Sequence, residues 1–263
     1  ACALMLRDIV FLMLSRKGAI NHSGVVLLAL AMLTSVVGVR NAVQDPNVRS
    51  VELSLPALPV GFEGYRIVQL TDIHTSSLLR RDWLERVVSR SNALDADLMV
   101  LTGDLSDGLL SRRKNDIAPL SRLRAKDGVY ATTGNHEYYF DYSAWMQAFN
   151  ALDIPFLLNS HVRLSRGGDS LILAGVTDEA AIRVGEEGPD IAKALTGVGA
   201  HEAIILLDHR PGHAERNAVH GVMLQLSGHT HGGMIRGLDQ AIKPANGGFI
   251  SGYYPVGNMA LYV

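Results

Sequence analysis

The chain has one cysteine in 263 residues, Cys2, so no disulfide can form within it. A structural zinc site built from several thiolates is excluded for the same reason. Any metal ion must instead be held by carboxylate, amide and imidazole groups, and this donor set favours manganese, iron or zinc. The lack of cysteine pairs also leaves the redox compartment undefined.

The sequence also lacks an excess of charge of either sign. It has 24 Lys and Arg residues against 26 Asp and Glu residues, a formal net charge of −2. Proteins that bind nucleic acids usually carry a concentrated basic surface. The balanced charge therefore disfavours nucleic acid as a main partner.

Charged residues are missing altogether from Gly18 to Val39. A helix needs roughly 20 apolar residues to cross a bilayer, so this stretch predicts a membrane anchor. A cleaved secretory signal and a buried helix are the alternatives, although no clear small-residue cleavage site follows the apolar run. Arg16 and Lys17 before the span, against Arg40 after it, weakly favour a main domain outside the cytoplasm.

The organisation that follows has a membrane-anchor region at 1–40, with the span at about 18–39, a linker with a leading strand at 41–64, and one domain at 65–263. The leading strand is predicted at Val51–Leu55, where polar and apolar residues alternate. Beyond Tyr65, six short apolar runs predict strands: 66–70, 98–101, 129–133, 171–174, 203–207 and 222–226. Helix-like stretches separate several of these runs, which predicts an α/β fold with helices on both faces of the sheet.

Polar blocks follow most of these runs. They are Asp72-Ile-His74, Gly103-Asp104-Leu-Ser-Asp107, Gly134-Asn135-His136-Glu137, Asp208-His209-Arg210-Pro211 and Gly228-His229-Thr-His231-Gly232-Gly233. Ligands of α/β sheets bind beyond the carboxyl ends of the strands, so these blocks are expected to meet at one edge.

The chemistry of the blocks points to two neighbouring cations. Residues two apart in an extended segment point the same way, so Asp72 and His74 can grip one ion. A shared carboxylate reduces the repulsion between two cations, and Asp104 is a candidate for that bridge. Two ions roughly 3.5–4 Å apart can activate a bridging hydroxide and clamp a phosphoryl oxygen. Each block alone also fits an ordinary turn or helix cap, but the five together are poorly explained by chance.

Taken together, the five blocks resemble the calcineurin-like metallophosphoesterase superfamily over about residues 65 to 256. Leu-Thr-Asp-Ile-His and Leu-Ser-Gly-His-Thr-His-Gly-Gly are similar to the membrane-associated bacterial phosphodiesterase branch. Some members of that branch hydrolyse the pyrophosphate of a lipid-A precursor, a UDP-2,3-diacylglucosamine. The resemblance implies a four-layer α/β/β/α sandwich and a hydrolase that uses two divalent metal ions.

The resemblance also implies a role for each matching residue. The first ion would be held by Asp72, His74 and His231, the second by Asn135, His209 and His229, and both by Asp104. His136 would assist the leaving-group oxygen as a general acid or hydrogen-bond donor. Asp107 would accept a hydrogen bond from His136 and keep it oriented.

Three departures from the family pattern stand out. Gly108 follows Asp107 where phosphoprotein phosphatases have arginine, which argues against a protein phosphatase. Met234 stands where the related branch usually has glutamine. The sequence stops at Val263 where relatives usually continue into a closing strand, so the C-terminal strand is expected to be truncated.

The expected substrate is a small phosphodiester or a lipid-linked pyrophosphate at a bacterial cell membrane. A phosphomonoesterase, a nuclease of the same superfamily and a non-catalytic metal-binding scaffold are the alternatives. Arg210 either meets a phosphate oxygen or has no role, and the segment from Asp178 to Gly199 is expected to be a mobile loop with one helix and no chemistry.

Overall fold

The structure is a computed structural model that describes residues 22–233 and 239–263. Cys2, the basic residues Arg16 and Lys17, the first residues of the predicted span and Met234 lie outside the described residues. The chain divides into two compact units between Pro46 and Asn47.

The first unit contains helix α1, His22–Ala42. Its segment Val25–Ala42 has a mean hydropathy of 1.9, and none of it is buried within the protein. By length and composition, this helix can cross a bilayer. The described part of the predicted span is therefore helical and apolar.

The second unit combines short helices with two sheets. After α1, the α-helices are α2 (Arg81–Asn92), α3 (Leu110–Ile117), α4 (His136–Tyr139), α5 (Tyr142–Asn150), α6 (Ile191–Ala194), α7 (Ala214–Ala218) and α8 (Asp239–Ile242). Short 3-10 helices occur at Val60–Phe62, Ala118–Arg122, Glu179–Val184, Pro211–His213, His231–Gly233 and Lys243–Asn246. The strands are β1 (Ile67–Leu70), β2 (Leu98–Thr102), β3 (Val129–Thr132), β4 (Ser160–Arg166), β5 (Asp169–Gly175), β6 (Ala203–Leu207), β7 (Leu224–Leu226), β8 (Tyr253–Val256) and β9 (Met259–Tyr262).

The strands form a parallel three-stranded sheet, in the order β1-β2-β3, and a six-stranded sheet, in the order β4-β5-β6-β7-β9-β8. Strands β5, β6, β7 and β9 run parallel, while β4 and β8 add antiparallel edges. All six predicted strands are present in this part of the chain. The sequence did not indicate β4, β8 or β9.

Contrary to the prediction, Val51–Leu55 forms no strand. Leu53 and Leu55 are half-buried and pack against the core between the sheets, whereas Val51 is exposed. The alternating pattern therefore reflects the packing of alternate side chains, without backbone pairing.

Alternating side chains of β2 show how the layers are held together. Leu98 and Val100 pack in a core shared by the two sheets, whereas Met99 and Leu101 pack in a second core with α2, α3 and α5. A third core lies between the six-stranded sheet and helices α6 and α7. The predicted four-layer α/β/β/α sandwich is confirmed.

One side chain links the two sheets where the candidate site begins. Gln69 at the end of β1 donates to Thr102 Oγ1 at 2.9 Å and to the carbonyl oxygen of Ser227 at 2.9 Å. Thr102 ends β2, and Ser227 follows β7. The carboxyl ends of these strands therefore meet at one edge, which positions the polar loops that follow them.

Candidate metal centre

The nine predicted site residues come from five loops at this edge. Asp72 and His74 follow β1, Asp104 and Asp107 follow β2, Asn135 and His136 follow β3, His209 follows β6, and His229 and His231 follow β7. The structure gathers eight of them into three groups that could hold metal ions, two of which share His74, and Asn135 lies next to His136.

The first group, here called the outer cluster, is Asp72, His74 and His231. His231 Nε2 lies 3.2 Å from His74 Nε2 and 3.3 Å from Asp72 Oδ1. Asp72 is held by the backbone N–H of His229 at 3.0 Å and by the Thr71 hydroxyl. The His231 side chain is 44% exposed, so this cluster opens towards solvent.

The second group, the inner cluster, is Asp104, His209 and His229. His209 Nε2 lies 3.2 Å from Asp104 Oδ2 and 3.2 Å from His229 Nδ1. The His209 and Asp104 side chains are almost fully buried, and the other ring nitrogen of His209 is 2.8 Å from the carbonyl oxygen of Thr102. That contact orients the ring so that Nε2 faces the cluster.

Asp104 lies between the two clusters. Its Oδ2 is 3.2 Å from His209 Nε2 in the inner cluster and 3.6 Å from His74 Nε2 in the outer cluster. Its Oδ1 accepts the backbone N–H of His136 at 2.8 Å, which fixes the carboxylate. One carboxylate therefore faces both clusters, the geometry that a bridge between two cations requires.

Asn135 supplies a second indication that cations belong here. Its side-chain oxygen is buried and has no hydrogen-bond partner among the described residues, while its Nδ2 donates to the Tyr139 hydroxyl at 3.0 Å. An unsatisfied buried acceptor costs about 1–3 kcal/mol. A divalent cation would satisfy it, so the oxygen and imidazole donors present fit manganese, iron or zinc.

Asp107 links the outer cluster to the predicted leaving-group residue. Its Oδ1 lies 2.6 Å from His136 Nδ1 and also 2.9 Å from His74 Nδ1. The contact with His136 is the one the family resemblance implies. The contact with His74 was not predicted, and it lets one carboxylate orient both rings.

The backbone is unusual at five of these residues. Positive φ angles occur at Asp72, His74, Asp104, His229 and His231, with values of 50°, 45°, 54°, 70° and 49°. Such angles are uncommon outside glycine and tend to persist where the surroundings impose them, often at functional sites. The loops therefore hold these side chains in conformations that ordinary turns rarely adopt.

The glycines of the motifs permit close approach between the loops. A Cβ atom at Gly134 would lie 2.2 Å from Asp104 Oδ1, and one at Gly228 would lie 2.2 Å from Asp72 Oδ2. Any side chain at these positions would displace a carboxylate of the centre.

The sequence profile of the calcineurin-like phosphoesterases matches residues 65–233. The chain belongs to the calcineurin-like phosphoesterase family. A "transmembrane protein with metallophosphoesterase domain" from Danio rerio is 38% identical over 228 residues, 83% of this chain and 52% of the relative. The protein of the same description from Bos taurus is 38% identical over 253 residues, 92% of this chain and 56% of the relative. The chain thus spans about half the length of these relatives.

Among solved structures, NAD nucleotidase of Haemophilus influenzae is similar with a TM-score of 0.47 and 17% identity, over 64% of this chain and 38% of that chain. The narrower resemblance to hydrolases of UDP-2,3-diacylglucosamine stays a prediction. A bacterial membrane location stays a prediction as well.

Glu137 is a residue of this phosphoesterase site whose role the sequence did not reveal. Its buried carboxylate accepts the backbone N–H groups of Asp104 at 3.0 Å, Leu105 at 2.7 Å and Gly134 at 2.7 Å. Burial and the nearby Asp104 carboxylate raise the pKa of Glu137 to about 7. Glu137 therefore ties the loops after β2 and β3 together, and its place in the Gly-Asn-His-Glu block was the available signal.

The carboxylates and imidazoles of the phosphoesterase site shift one another's pKa. Burial opposes a charge on His74, but hydrogen bonds to Asp107 and Asp72 outweigh it and raise its pKa to about 10. Burial likewise opposes a charge on His209, but the hydrogen bond to Asp104 helps raise its pKa to about 9. Burial lowers the pKa of His229 to about 4, helped by the charge of His209. Without metal, His74 and His209 thus hold protons that an incoming cation must displace.

Asp178 is the second residue that sequence reasoning missed. It follows β5, ahead of the 3-10 helix Glu179–Val184, and its side chain is fully buried. Arg210 donates to it through Nε at 2.6 Å and through Nη2 at 3.1 Å. The segment that was expected to be a mobile loop without chemistry is therefore ion-paired to the loop that carries His209.

Proposed function

We propose that this chain is a membrane-associated hydrolase that cleaves a phosphodiester or pyrophosphate bond with two divalent metal ions. The position of Asp104 carries the proposal, because its Oδ2 faces His209 of the inner cluster and His74 of the outer cluster. The unpartnered buried oxygen of Asn135 supports it. Membership of a phosphoesterase family supplies the reaction class.

In this proposal the outer ion is held by Asp72, His74 and His231, the inner ion by Asn135, His209 and His229, and both ions by Asp104. When bound, a pair of such ions activates the attacking water and neutralises charge on the phosphoryl oxygens. The protein's own contribution is to fix these donors on five loops, so that the substrate phosphorus meets a site already in place.

His136 is the proposed general acid. Its Nδ1 is held by Asp107 at 2.6 Å, which leaves Nε2 for the substrate. As the bond between phosphorus and the leaving oxygen breaks, Nε2 gives its proton to that oxygen. The ring then stays neutral, with its remaining proton on Nδ1 facing Asp107, and a proton from solvent restores it. The Asp107 carboxylate keeps the ring oriented, with Nε2 directed away from Asp107.

The substrate class is proposed from the first unit of the chain. No residue in the candidate span of the apolar helix ending at Ala42 is buried. Two relatives are named as transmembrane proteins, which supports attachment to a membrane. A catalytic domain kept close to a bilayer meets lipid-linked phosphoesters at high local concentration, so these are the favoured natural substrates. The extracytoplasmic orientation predicted from Arg16 and Lys17 is part of this proposal.

A substrate screen of the full chain in detergent tests the proposed function. The metal-free protein is loaded with manganese, iron or zinc and offered a diester, a monoester, single-stranded DNA and a nucleotide-sugar lipid. We expect cleavage of the diester and of the lipid pyrophosphate, and loss of both activities on chelation. His136→Asn is the control, because it should keep the metal and lose turnover.

Faster cleavage of the monoester or of DNA would replace the proposed substrate class. If the protein bound metal but hydrolysed none of the substrates, and His136→Asn left metal binding unchanged, the result would support a non-catalytic metal-binding scaffold. Failure to bind metal at all would contradict the proposal itself.

A further inference from the structure

The guanidinium group of Arg210 is fixed in position. It binds the Asp178 carboxylate through two nitrogens, Nε and Nη2. Asp178 is buried and also accepts the backbone N–H of Ala180 at 2.8 Å. The following 3-10 helix packs through Ala180 and Ala181 against Tyr138 of α4. A cation held so firmly can present its remaining nitrogen without losing further side-chain freedom.

That remaining nitrogen, Nη1, points at the inner cluster. It lies 3.3 Å from Nε2 of His229. The other nitrogen of the same ring, Nδ1, lies 3.2 Å from His209 Nε2. The His229 ring therefore stands between His209 and Arg210, with Nδ1 facing His209 and Nε2 facing Arg210.

The protonation pattern of His229 decides what this contact means. A neutral imidazole carries one N–H, so a ring that binds a cation through Nδ1 carries its proton on Nε2. Nε2–H of His229 and Nη1–H of Arg210 are then two donors 3.3 Å apart. Two donors at that distance repel, unless an acceptor accepts hydrogen bonds from both.

We propose that Arg210 Nη1 and His229 Nε2 together form a subsite for a phosphoryl oxyanion of the substrate. The inference rests on the proposed function, because it needs a cation in the inner cluster. A negatively charged oxygen satisfies both donors, and hydrogen bonds between charged groups are among the strongest that proteins make. The oxygen belongs either to the reacting phosphoryl group or to a second phosphate bonded to it.

Anion binding to the zinc-loaded full chain tests this subsite, with isothermal titration calorimetry and metal analysis on the same samples. The probes are orthophosphate and methylenediphosphonate, which cannot be hydrolysed at its P–C–P link. We expect Arg210→Gln to keep the zinc content and to weaken anion binding about tenfold or more, since a charged hydrogen bond is lost. Arg183→Gln is the matched control, because Arg183 is an exposed arginine of the 3-10 helix that follows Asp178, and it should change binding less than about twofold.

Arg210→Gln leaves the buried Asp178 without its cation, which can impair folding. The double variant Arg210→Gln/Asp178→Asn removes both charges and should show the same loss of anion affinity. Weaker binding of both probes assigns the subsite to the reacting phosphoryl group. Weaker binding of methylenediphosphonate alone assigns it to a second phosphate.

Unchanged affinity for both probes in a zinc-loaded variant would overturn the inference, and Arg210 would then serve only to hold the Asp178 segment in place. That result leaves the proposed function intact as long as the wild-type chain hydrolyses its diester. A wild-type chain that binds no zinc, manganese or iron would instead end the proposed function, and the subsite with it.

Discussion

The inner and outer clusters use the same kinds of side chain but are supported differently. The inner cluster is buried where the two sheets meet, and the Thr102 carbonyl oxygen fixes the His209 ring. The outer cluster is more open, and its His74 ring is held by the side chain of Asp107. His209 of the inner cluster is thus placed by a backbone carbonyl group of a strand, and His74 of the outer cluster by a loop side chain.

This difference predicts unequal metal sites. Donors already fixed by the fold lose little freedom when a cation binds, and water reaches a buried site less easily. We therefore expect the inner cluster to hold its ion more tightly and to exchange it more slowly. The following predictions test this contrast, from the largest expected effect to the smallest.

The largest effect is expected for Asp104→Asn, because this carboxylate faces both clusters. Loss of its charge should empty both metal sites and reduce turnover by on the order of 10³-fold. Metal analysis and diester hydrolysis measure the two effects. Asp82→Asn, at an exposed position of α2, is the control. If Asp104→Asn lost only one of the two ions, Asp104 would not be a bridge.

Asp107 and His136 should differ in their effect on the outer ion. His136→Asn should reduce turnover by about 10²–10⁴-fold without changing metal affinity, as expected for a general acid. Asp107→Asn should also weaken the outer site by about 10–100-fold, because it releases the ring of the ligand His74. Metal titrations of both variants check this. Equal outer-site affinities would show that the contact between Asp107 and His74 does not support metal binding.

Metal affinity should rise with pH. The pKa of His74 is raised to about 10 and that of His209 to about 9, so both rings are protonated at neutral pH in the metal-free protein. Each proton displaced by a cation should change the apparent affinity about tenfold per pH unit. The metal affinity of the inner site should stop rising near pH 9, and that of the outer site at a higher pH. Titration against a competing chelator measures it, and affinities independent of pH would contradict these protonation states.

The smallest effect concerns the stability of the metal-free protein. His209→Gln removes a buried hydrogen bond to the Thr102 carbonyl oxygen and should lower the free energy of unfolding by about 1–3 kcal/mol. His231→Gln, at a largely exposed position, should stay within about 0.5 kcal/mol of wild type. Chemical denaturation in the presence of chelator gives both values. Equal destabilisation would remove the structural distinction between the clusters.

The sequence predicted the central strands because their apolar runs are short and end in polar blocks. Strand β4, Ser160–Arg166, was not predicted because it lies at a sheet edge and Leu164 is its one buried residue, so it has no apolar run. The strand predicted at Val51–Leu55 is the opposite case. Its alternate side chains pack on the core, but its backbone pairs with no strand. Periodicity reports which side chains are buried, and it does not report which backbone groups pair.

The motifs likewise predicted which residues meet, but not what holds them. Their loops bring Asp104, His209 and His229 together as the strand ends imply. The buried support from Glu137 and Asp178 depends on the folding of loops back onto neighbouring loops. Contacts between residues distant in sequence leave no local pattern, so the structure was needed to find them.

The number of metal ions per active chain tests the central claim most directly. The 263-residue chain in detergent is freed of metal and titrated with manganese, while bound manganese and diester hydrolysis are measured together. A dinuclear centre predicts two manganese ions per chain. The more tightly bound ion should bind before any activity appears, and turnover should increase as the second ion binds. Full activity with a single bound ion, or activity that persists after a chelator has removed the metal, would contradict the two-cluster site built around Asp104.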